Sequence, residues 1–479
     1  MLVGVDIGTT NIKAVAAGDR NEALAVATRS NEVLTPQPDR SEQEPEAVFR
    51  KVLEVIREVC AAVHSGYPAE TVQGIVFSSA MHGLAATDAS GNPLTNFWLW
   101  SDLRADDIAR ELRQSPEGRE IYHRTGVPVH AMSPLLKLLW MKQQMPEVFK
   151  TAHQFPGIKE YVWQRLTGRF ESDISVASAT GLFDLQQNNW CEPALQLAGL
   201  SAGRLPQLVP TSHIGYLSSA DLPGDIVPAS TPLIIGAGDG AFANIGSGAV
   251  YPGQFAVTIG TSAAIRTMVG DPVTDRQMRT FCYRVDASRC IAGGASNNGA
   301  NALEWLRSSV FRSPLGAGDF AGQAALAPPG SDGLLFLPYL LGERAPLYDA
   351  RARGSFHGLQ MRHEQAHFIR AVMEGVLFNL KLIAEALEEQ HPIRSLHAGG
   401  GFSHNRLWVQ MLADIFQKPV YLKDETIDAS VSGALQLGRS VLNLEQSADH
   451  QKGRVVEPEE KSREIYEDAF QRFRRMVDC

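Results

Sequence analysis

Val3-Gly4-Val5-Asp6-Ile7-Gly8-Thr9-Thr10 opens the chain as an apolar, β-branched run that breaks on a Gly-Thr-Thr turn. Just past the midpoint the pattern returns as Phe255-Ala256-Val257-Thr258-Ile259-Gly260-Thr261-Ser262. Glycine lets a backbone come close to a phosphate, and neighbouring hydroxyl and N–H groups then bond its oxygens. A single D-x-G turn fits a plain hairpin equally well. Two such loops, one in each half, suggest a duplicated fold that grips a nucleotide phosphate tail from both sides. In that reading Gly8, Thr9, Thr10, Gly260 and Thr261 face phosphate, and the Asp6 carboxylate faces a magnesium ion through water. Lys13 either reaches a phosphate or is a solvated strand lysine.

A chain of 479 residues is too long for one ordinary core, so two or three domains are expected. The net charge of −9 argues against a general nucleic-acid binder, whose footprint is basic. It leaves room for an anionic small molecule, because a local pocket can oppose the global sign. Cys60, Cys191, Cys282, Cys290 and Cys479 include no CxxC pair, which fits a reducing compartment better than a zinc site or a disulfide framework. No leader-like segment and no apolar run of membrane-spanning length is present, so a cytoplasmic protein without membrane partners is expected.

Strands are predicted at 2–6, 12–17, 23–30, 72–79, 96–102, 233–237 and 396–397. Helices are predicted at 45–65, 106–112, 135–144, 158–166, 301–308, 365–390, 407–417, 429–442 and 462–477. Residues 445–460 read as a loose surface segment. The Gly/Pro/Ser-rich stretch 246–252 marks the domain boundary, giving an N-terminal domain over 1–246 and a C-terminal domain over 247–479.

Three further groups carry chemistry. Asp239, between Gly238 and Gly240 after an apolar strand, is either a turn aspartate or a general base for an acceptor hydroxyl. Gly399-Gly400-Gly401, followed by Asn405 and a helix, is either a flexible turn or a backbone surface for adenine and ribose. It is not a Rossmann fingerprint, since the G-x-G-x-x-G spacing fails. Met81, His82, Trp100, Asp102 and Arg104 cluster at strand ends, where ligands of α/β sheets gather. Asp and Arg can bond the hydroxyls of a polyol and an indole can stack on its C–H face. His82 as a core histidine and Arg104 as a surface charge are the structural alternatives.

Two long stretches bring a family into view. Met132-Ser133-Pro134-Leu135-Leu136-Lys137-Leu138-Leu139-Trp140-Met141-Lys142-Gln143-Gln144 is one, and Gly354-Ser355-Phe356-His357-Gly358-Leu359 through His367-Phe368-Ile369-Arg370-Ala371-Val372-Met373-Glu374 is the other. Across nearly its whole length, from Asp6 to about Leu442, the chain resembles the FGGY carbohydrate kinases of the actin/Hsp70-like superfamily. That resemblance implies an α/β protein of two domains with a duplicated, ribonuclease H-like ATPase core and a catalytic cleft between them.

It also implies Asp239 as catalytic base and Asp6 and Thr10 at the magnesium and phosphates. Gly260 and Thr261 would hold the phosphate tail, and Gly400, Gly401 and Asn405 the adenosine. Met81 and His82 match a sugar-contacting pair, with Asp102 and Arg104 in the polyol segment that follows. ATP and Mg2+ are the expected cofactors, a small sugar or sugar acid the expected partner, and a homodimer is compatible.

Within the family, Gly342-Glu343-Arg344-Ala345-Pro346-Leu347-Tyr348-Asp349 and Ile174-Ser175-Val176-Ala177-Ser178-Ala179-Thr180-Gly181-Leu182-Phe183 resemble kinases of gluconate. Met81-His82-Gly83 reads equally like a kinase of xylulose. Gluconate carries a carboxylate, so its pocket needs a cation or several donors, for which Arg104, His82 and Lys159 are the candidates. A kinase of xylulose or another pentulose, or a non-catalytic sensor of sugar and ATP, are the alternative readings.

Overall fold

A computed structural model describes residues 1–477 apart from 20, 68–69, 219–220, 223–225, 390, 424–426 and 445–452. The first half holds β1 (Leu2–Ile7), β2 (Asn11–Ala17), β3 (Ala23–Ser30), α1 (Pro45–Gly66), β4 (Gly74–Ser79), α2 (Pro134–Gln144), α3 (Ile158–Thr167), β5 (Ile214–Gly215), β6 (Leu233–Gly238) and α4 (Asp239–Gly246). The second half holds β7 (Gln254–Ile259), β8 (Ala263–Val269), β9 (Phe281–Arg284), β10 (Cys290–Ser296), α5 (Ala300–Trp305) and α6 (Gln365–Glu388). It ends with β11 (Ser395–Gly399), α7 (Arg406–Phe416), β12 (Val420–Leu422), α8 (Ala429–Val441) and β13 (Arg454–Val456), before a last helix over Arg463–Val477.

The two sheets have one plan. The first runs β5-β6-β4-β1-β2-β3 and the second β9-β10-β8-β7-β11-β12-β13. In each, an antiparallel meander (β1-β2-β3, and β7-β8-β10) is followed by parallel strands: β4 beside β1, and β11 beside β7. The duplication inferred from the two Gly-Thr turns is therefore a duplication of sheet topology. Both turns join the first two strands of a meander, so both lie at the same end of equivalent sheets.

The strands bordering the parallel pairs are apolar on both faces because both faces are covered. On one side of the first sheet α1 lays down Val48, Val52, Val55, Ile56 and Val59, all buried. Each such side chain contributes about 1.5–3 kcal/mol of burial. On the other side lies α8, which packs on β1 and β4 although it comes from the end of the chain. Arg439 of α8 donates to the Gly18 carbonyl and, at 3.2 Å, to Asn21 Oδ1 in the β2–β3 turn. α8 crosses α4 with their backbones in close approach. A Cβ on Gly246 would lie 1.9 Å from the Ala429 carbonyl oxygen, and one on Gly433 2.2 Å from that of Phe242. Only glycine fits either position.

Two local expectations change. The strand expected over 96–102 is Phe97–Trp98 alone, because the chain turns at Leu99, whose carbonyl accepts from the Asp102 amide at 3.1 Å. Part of the segment expected to be loose, Arg454–Val456, is strand β13: its valines pair antiparallel with Val420 and Tyr421 and complete the sheet edge. The rest of that expectation, 445–452, lies outside the described residues. Among the described residues no helix is long and apolar enough to cross a membrane.

Candidate active site

Two cavities meet between the sheets. The smaller, about 180 Å³, is walled by Met81, His82, Trp100, Asp239, Arg266 and Arg344, with Tyr283 and Tyr348 behind them. The larger, about 550 Å³, runs from Asp6 and Asp239 past Arg266 to Gly399, Gly400, Gly401 and Ser430. Asp239, Gly240 and Arg266 line both, so they form the wall at which the two spaces join. A third hollow of about 250 Å³ continues from Gly260 and Gly401 between Leu303, Phe320, Phe402, Asn405 and Trp408.

Asp239 is the first residue of α4, immediately after β6, so a buried strand aims it at the junction. Its Oδ1 accepts from the Gly240 amide at 2.6 Å. Withdrawal from water and the nearby Asp6 charge push its pKa up to about 6, against the pull of Arg266. Arg266 is held from β8 by a 2.7 Å bond to Thr258 Oγ1. Asp6, at the end of β1, accepts from Ser78 Oγ at 2.6 Å and from Ser430 Oγ at 3.2 Å. Burial still raises its pKa, and Asp428 adds to the effect.

Two carboxylates line the larger cavity, and the charge of Asp6 raises the pKa of Asp239, which leaves a deficit of positive charge there. A magnesium ion that uses few protein oxygens and fills its shell from phosphate and water suits that deficit. Among the described residues there is no cluster of three or more His, Cys, Asp and Glu that would form a self-sufficient metal cage.

The first glycine loop is also a tight hairpin. The Gly8 amide donates to the Asn11 carbonyl at 3.0 Å, and a Cβ there would meet that oxygen at 2.6 Å. Thr9 turns toward Trp100, its Oγ1 accepting from Trp100 Nε1 at 3.1 Å, whereas Thr10 is exposed. Lys13 is not a free lysine: its Nζ pairs at 2.6 Å with Asp428, which lines the larger cavity.

In the second half, Gly260, Gly399 and Gly401 all have open space where a Cβ would stand. Gly400 holds φ +87, a conformation costly to any other residue. Thr261 is exposed, and its carbonyl accepts from the Gly299 amide at 3.2 Å. Asn405 caps α7 through a 3.0 Å bond from the Trp408 amide.

The sugar-contact set divides. Met81, His82 and Trp100 line the smaller cavity; Asp102 and Arg104 do not. These two form a buried ion pair at 2.8 Å, which Glu42 joins, with Arg104 lying over the Trp98 ring at 3.8 Å. Asp102 also accepts from the Ser41 amide at 2.9 Å. The guanidinium is neutralised within this group, away from the residues that line the cavity, so a role as polyol ligands does not match their positions.

None of the three expected carboxylate ligands is a free cation at the cavity. Arg104 is paired as described. Lys159 faces Asp173 at 2.7 Å. His82 is neutral, since burial and the charge of Lys137 push its pKa down to about 3. The Ala179 carbonyl lies 2.7 Å from His82 Nδ1. A carbonyl can only accept, so Nδ1 carries the proton and Nε2 is an acceptor.

The cations that do line the cavity are Arg266 and Arg344. Arg344 sits over the Trp100 indole at 4.4 Å, bonded to Asn297 Oδ1 at 2.8 Å and the Ser296 carbonyl at 3.1 Å. Both come from the second half of the chain. The signal for Arg344 was present, since it lies inside the Gly342–Asp349 stretch, but nothing local shows that it crosses the cleft.

Comparison with known proteins agrees with this architecture. The model of the FGGY family of carbohydrate kinases matches residues 1–246 for its N-terminal domain and 255–439 for its C-terminal domain. A gluconokinase of Bacillus subtilis (strain 168) is 38% identical over 449 residues, covering 91% of this chain and 86% of that protein. The crystal structure of a gluconate kinase from Lactobacillus acidophilus superposes with a TM-score of 0.94 at 32% identity, covering 100% of this chain and 97% of that one. A ligand-bound xylulose kinase from the same organism gives 0.93 at 32% identity, with the same coverage. Two sheets of one topology, a carboxylate where two cavities join and these matches along both halves place this chain in the FGGY family of carbohydrate kinases.

Proposed function

We propose that the protein transfers the γ-phosphoryl group of ATP to the terminal hydroxyl of D-gluconate, giving 6-phosphogluconate. Arg344 carries the choice of acceptor. Its guanidinium lies in the wall of the smaller cavity, fixed on one edge by Asn297 and the Ser296 carbonyl and stacked on Trp100. A carboxylate is the natural complement of a guanidinium in a dry site, whereas a neutral pentulose offers it no anionic partner.

The sugar acid sits between Met81, His82 and Trp100, with His82 Nε2 accepting from a chain hydroxyl. Asp239 faces the terminal hydroxyl and takes its proton as the oxygen attacks the γ-phosphorus. The new O–P bond forms as the bond to the β–γ bridging oxygen breaks and ADP leaves. Most of the acceleration comes from positioning and charge stabilisation, which Arg266 supplies on this chain's side.

Asp6 and the Gly8–Thr10 and Gly260–Thr261 turns surround the phosphate tail. Gly400, Gly401 and Asn405 border the hollow for adenosine. Asp6 and Asp239 would hold Mg2+ through water, where the ion would offset phosphate charge. The division into domains 1–246 and 247–479 belongs to this reading, with closure about the α4–α8 crossing excluding water.

The resemblance to a xylulose kinase favours a pentulose as the second reading. A coupled assay of ADP release with gluconate, xylulose, ribulose, glycerol and no sugar separates the two. Highest kcat/KM on gluconate is expected; preference for a neutral pentulose would reject the gluconate assignment and leave the kinase mechanism standing.

A further inference from the structure

Lys137 lies in the second turn of α2, fully buried, and lines neither cavity. Its Nζ donates to four backbone carbonyls: His82 at 2.6 Å, Leu99 at 2.7 Å, Met132 at 2.9 Å and Trp98 at 3.1 Å. An ammonium has three N–H bonds, so at least one is shared, and every proton is engaged. Backbone oxygens converging in this way on one point resemble the cage that proteins build for a bare cation, filled here by a side chain.

The carbonyls come from three separate segments, and each segment delivers a residue to the smaller cavity. His82 follows β4, Trp100 is the residue after Leu99, and Met132 precedes α2. His82 holds φ +67, a conformation disfavoured by roughly 1–2 kcal/mol for a residue with a Cβ. Its carbonyl makes the shortest of the four bonds to the ammonium. The segments after β4 and around Trp98 already exchange backbone bonds, Leu84 with Trp98 at 3.1 and 2.8 Å; the ammonium, carried by the Met132 segment, contacts all three.

We propose that Lys137 is a positioning residue for the acceptor site: by collecting the carbonyls of His82, Trp98, Leu99 and Met132 it sets the relative placement of His82, Trp100 and Met132 around the sugar. The nucleotide cavity shares none of these segments, so the effect is confined to the acceptor. Burial lowers the pKa of the ammonium to about 7, with Asp102 opposing and Arg104 adding to the shift. Four carbonyl oxygens favour the charged form, and their loss leaves buried acceptors unpaired. This inference rests on reading the smaller cavity as the sugar site.

The test uses full-length protein and the sugar that the wild type turns over best in the ADP-release panel. Lys137→Met keeps the length of the side chain and removes every donor; Lys137→Gln keeps two N–H bonds. For Lys137→Met the sugar KM is expected to rise about tenfold or more, with the KM for ATP and the sugar-independent ATP hydrolysis within about twofold of wild type. Lys137→Gln should fall between. A folded Lys137→Met with an unchanged sugar KM and only a lower Tm overturns the inference. If that variant does not fold, Lys137→Gln decides by the same KM split, and failure of both to fold also overturns it, since Lys137 would then serve core stability. Absence of sugar turnover in the wild type would instead reject the reading of the cavity itself.

Discussion

The guanidinium carbon of Arg344 lies 4.4 Å from the centre of the Trp100 ring, and the Trp100 N–H donates to Thr9 at 3.1 Å. One indole thus ties the first glycine loop to a cation from the opposite half of the chain.

Arg344→Met removes the cation and keeps an apolar contact with Trp100. Loss of one charge-assisted contact corresponds to about 1.5–3 kcal/mol, or roughly 10- to 150-fold in kcat/KM on gluconate. Turnover of a neutral pentulose should fall much less. Steady-state kinetics on both sugars checks this, and equal losses on both would remove Arg344 from carboxylate recognition.

Asp239→Asn should lower kcat by about 10²- to 10⁴-fold while ATP still binds, because the amide cannot take the proton. The check pairs turnover with nucleotide titration by calorimetry. Near-normal turnover would remove Asp239 from the role of base.

The same group sets the acid side of the pH profile. The pKa of Asp239 is raised to about 6, so the base is ionised above that value and protonated below it. Activity is therefore lost as pH falls, and kcat/KM should drop by about tenfold per unit on the acid side. A flat profile from pH 5 to pH 8 would contradict this assignment.

Gly400→Ala places a Cβ at φ +87 and 3.0 Å from the Ile259 carbonyl oxygen. Strain of roughly 1–3 kcal/mol is expected, expressed as a higher KM for ATP with the sugar KM unchanged. Kinetics with each substrate varied in turn would reveal the split.

Gly433→Ala puts a Cβ 2.2 Å from the Phe242 carbonyl oxygen, where α4 and α8 cross. Backbone must move to admit it, at a cost of about 1–3 kcal/mol. Since α4 begins at Asp239, turnover should fall along with Tm. Thermal unfolding and ADP release measured together test the link; an unchanged Tm with wild-type turnover would show that the crossing is more plastic than its packing suggests.

Much of the fold was legible along the chain. The β1 and β7 runs, the amphipathic face of α1 and the strand before Asp239 each announce themselves through local periodicity. In the sequence Gly400 and Asn405 read as an adenosine surface or a flexible turn; that Asn405 caps α7 and that Gly400 holds φ +87 comes from the structure. Of the candidate site, Asp6, Asp239, Met81, His82 and Trp100 were visible because strand ends aim them. Asp102 and Arg104 misled for a physical reason: two opposite charges near a strand end look alike whether they face a ligand or each other. Arg266 and Arg344 were passed over because their importance arises only when the second half approaches the first.

By itself, then, the sequence determined the two Gly-Thr turns, the strands that carry them and the carboxylates at their ends, all of which depend on interactions within a short stretch of chain. The tertiary structure decided which charges cancel and which remain. Arg104 pairs with Asp102 and Lys159 with Asp173, His82 is held neutral against Ala179, and Arg344 is left at the acceptor cavity. Charge compensation depends on distances of a few ångströms between residues far apart in sequence, and folding alone sets those distances.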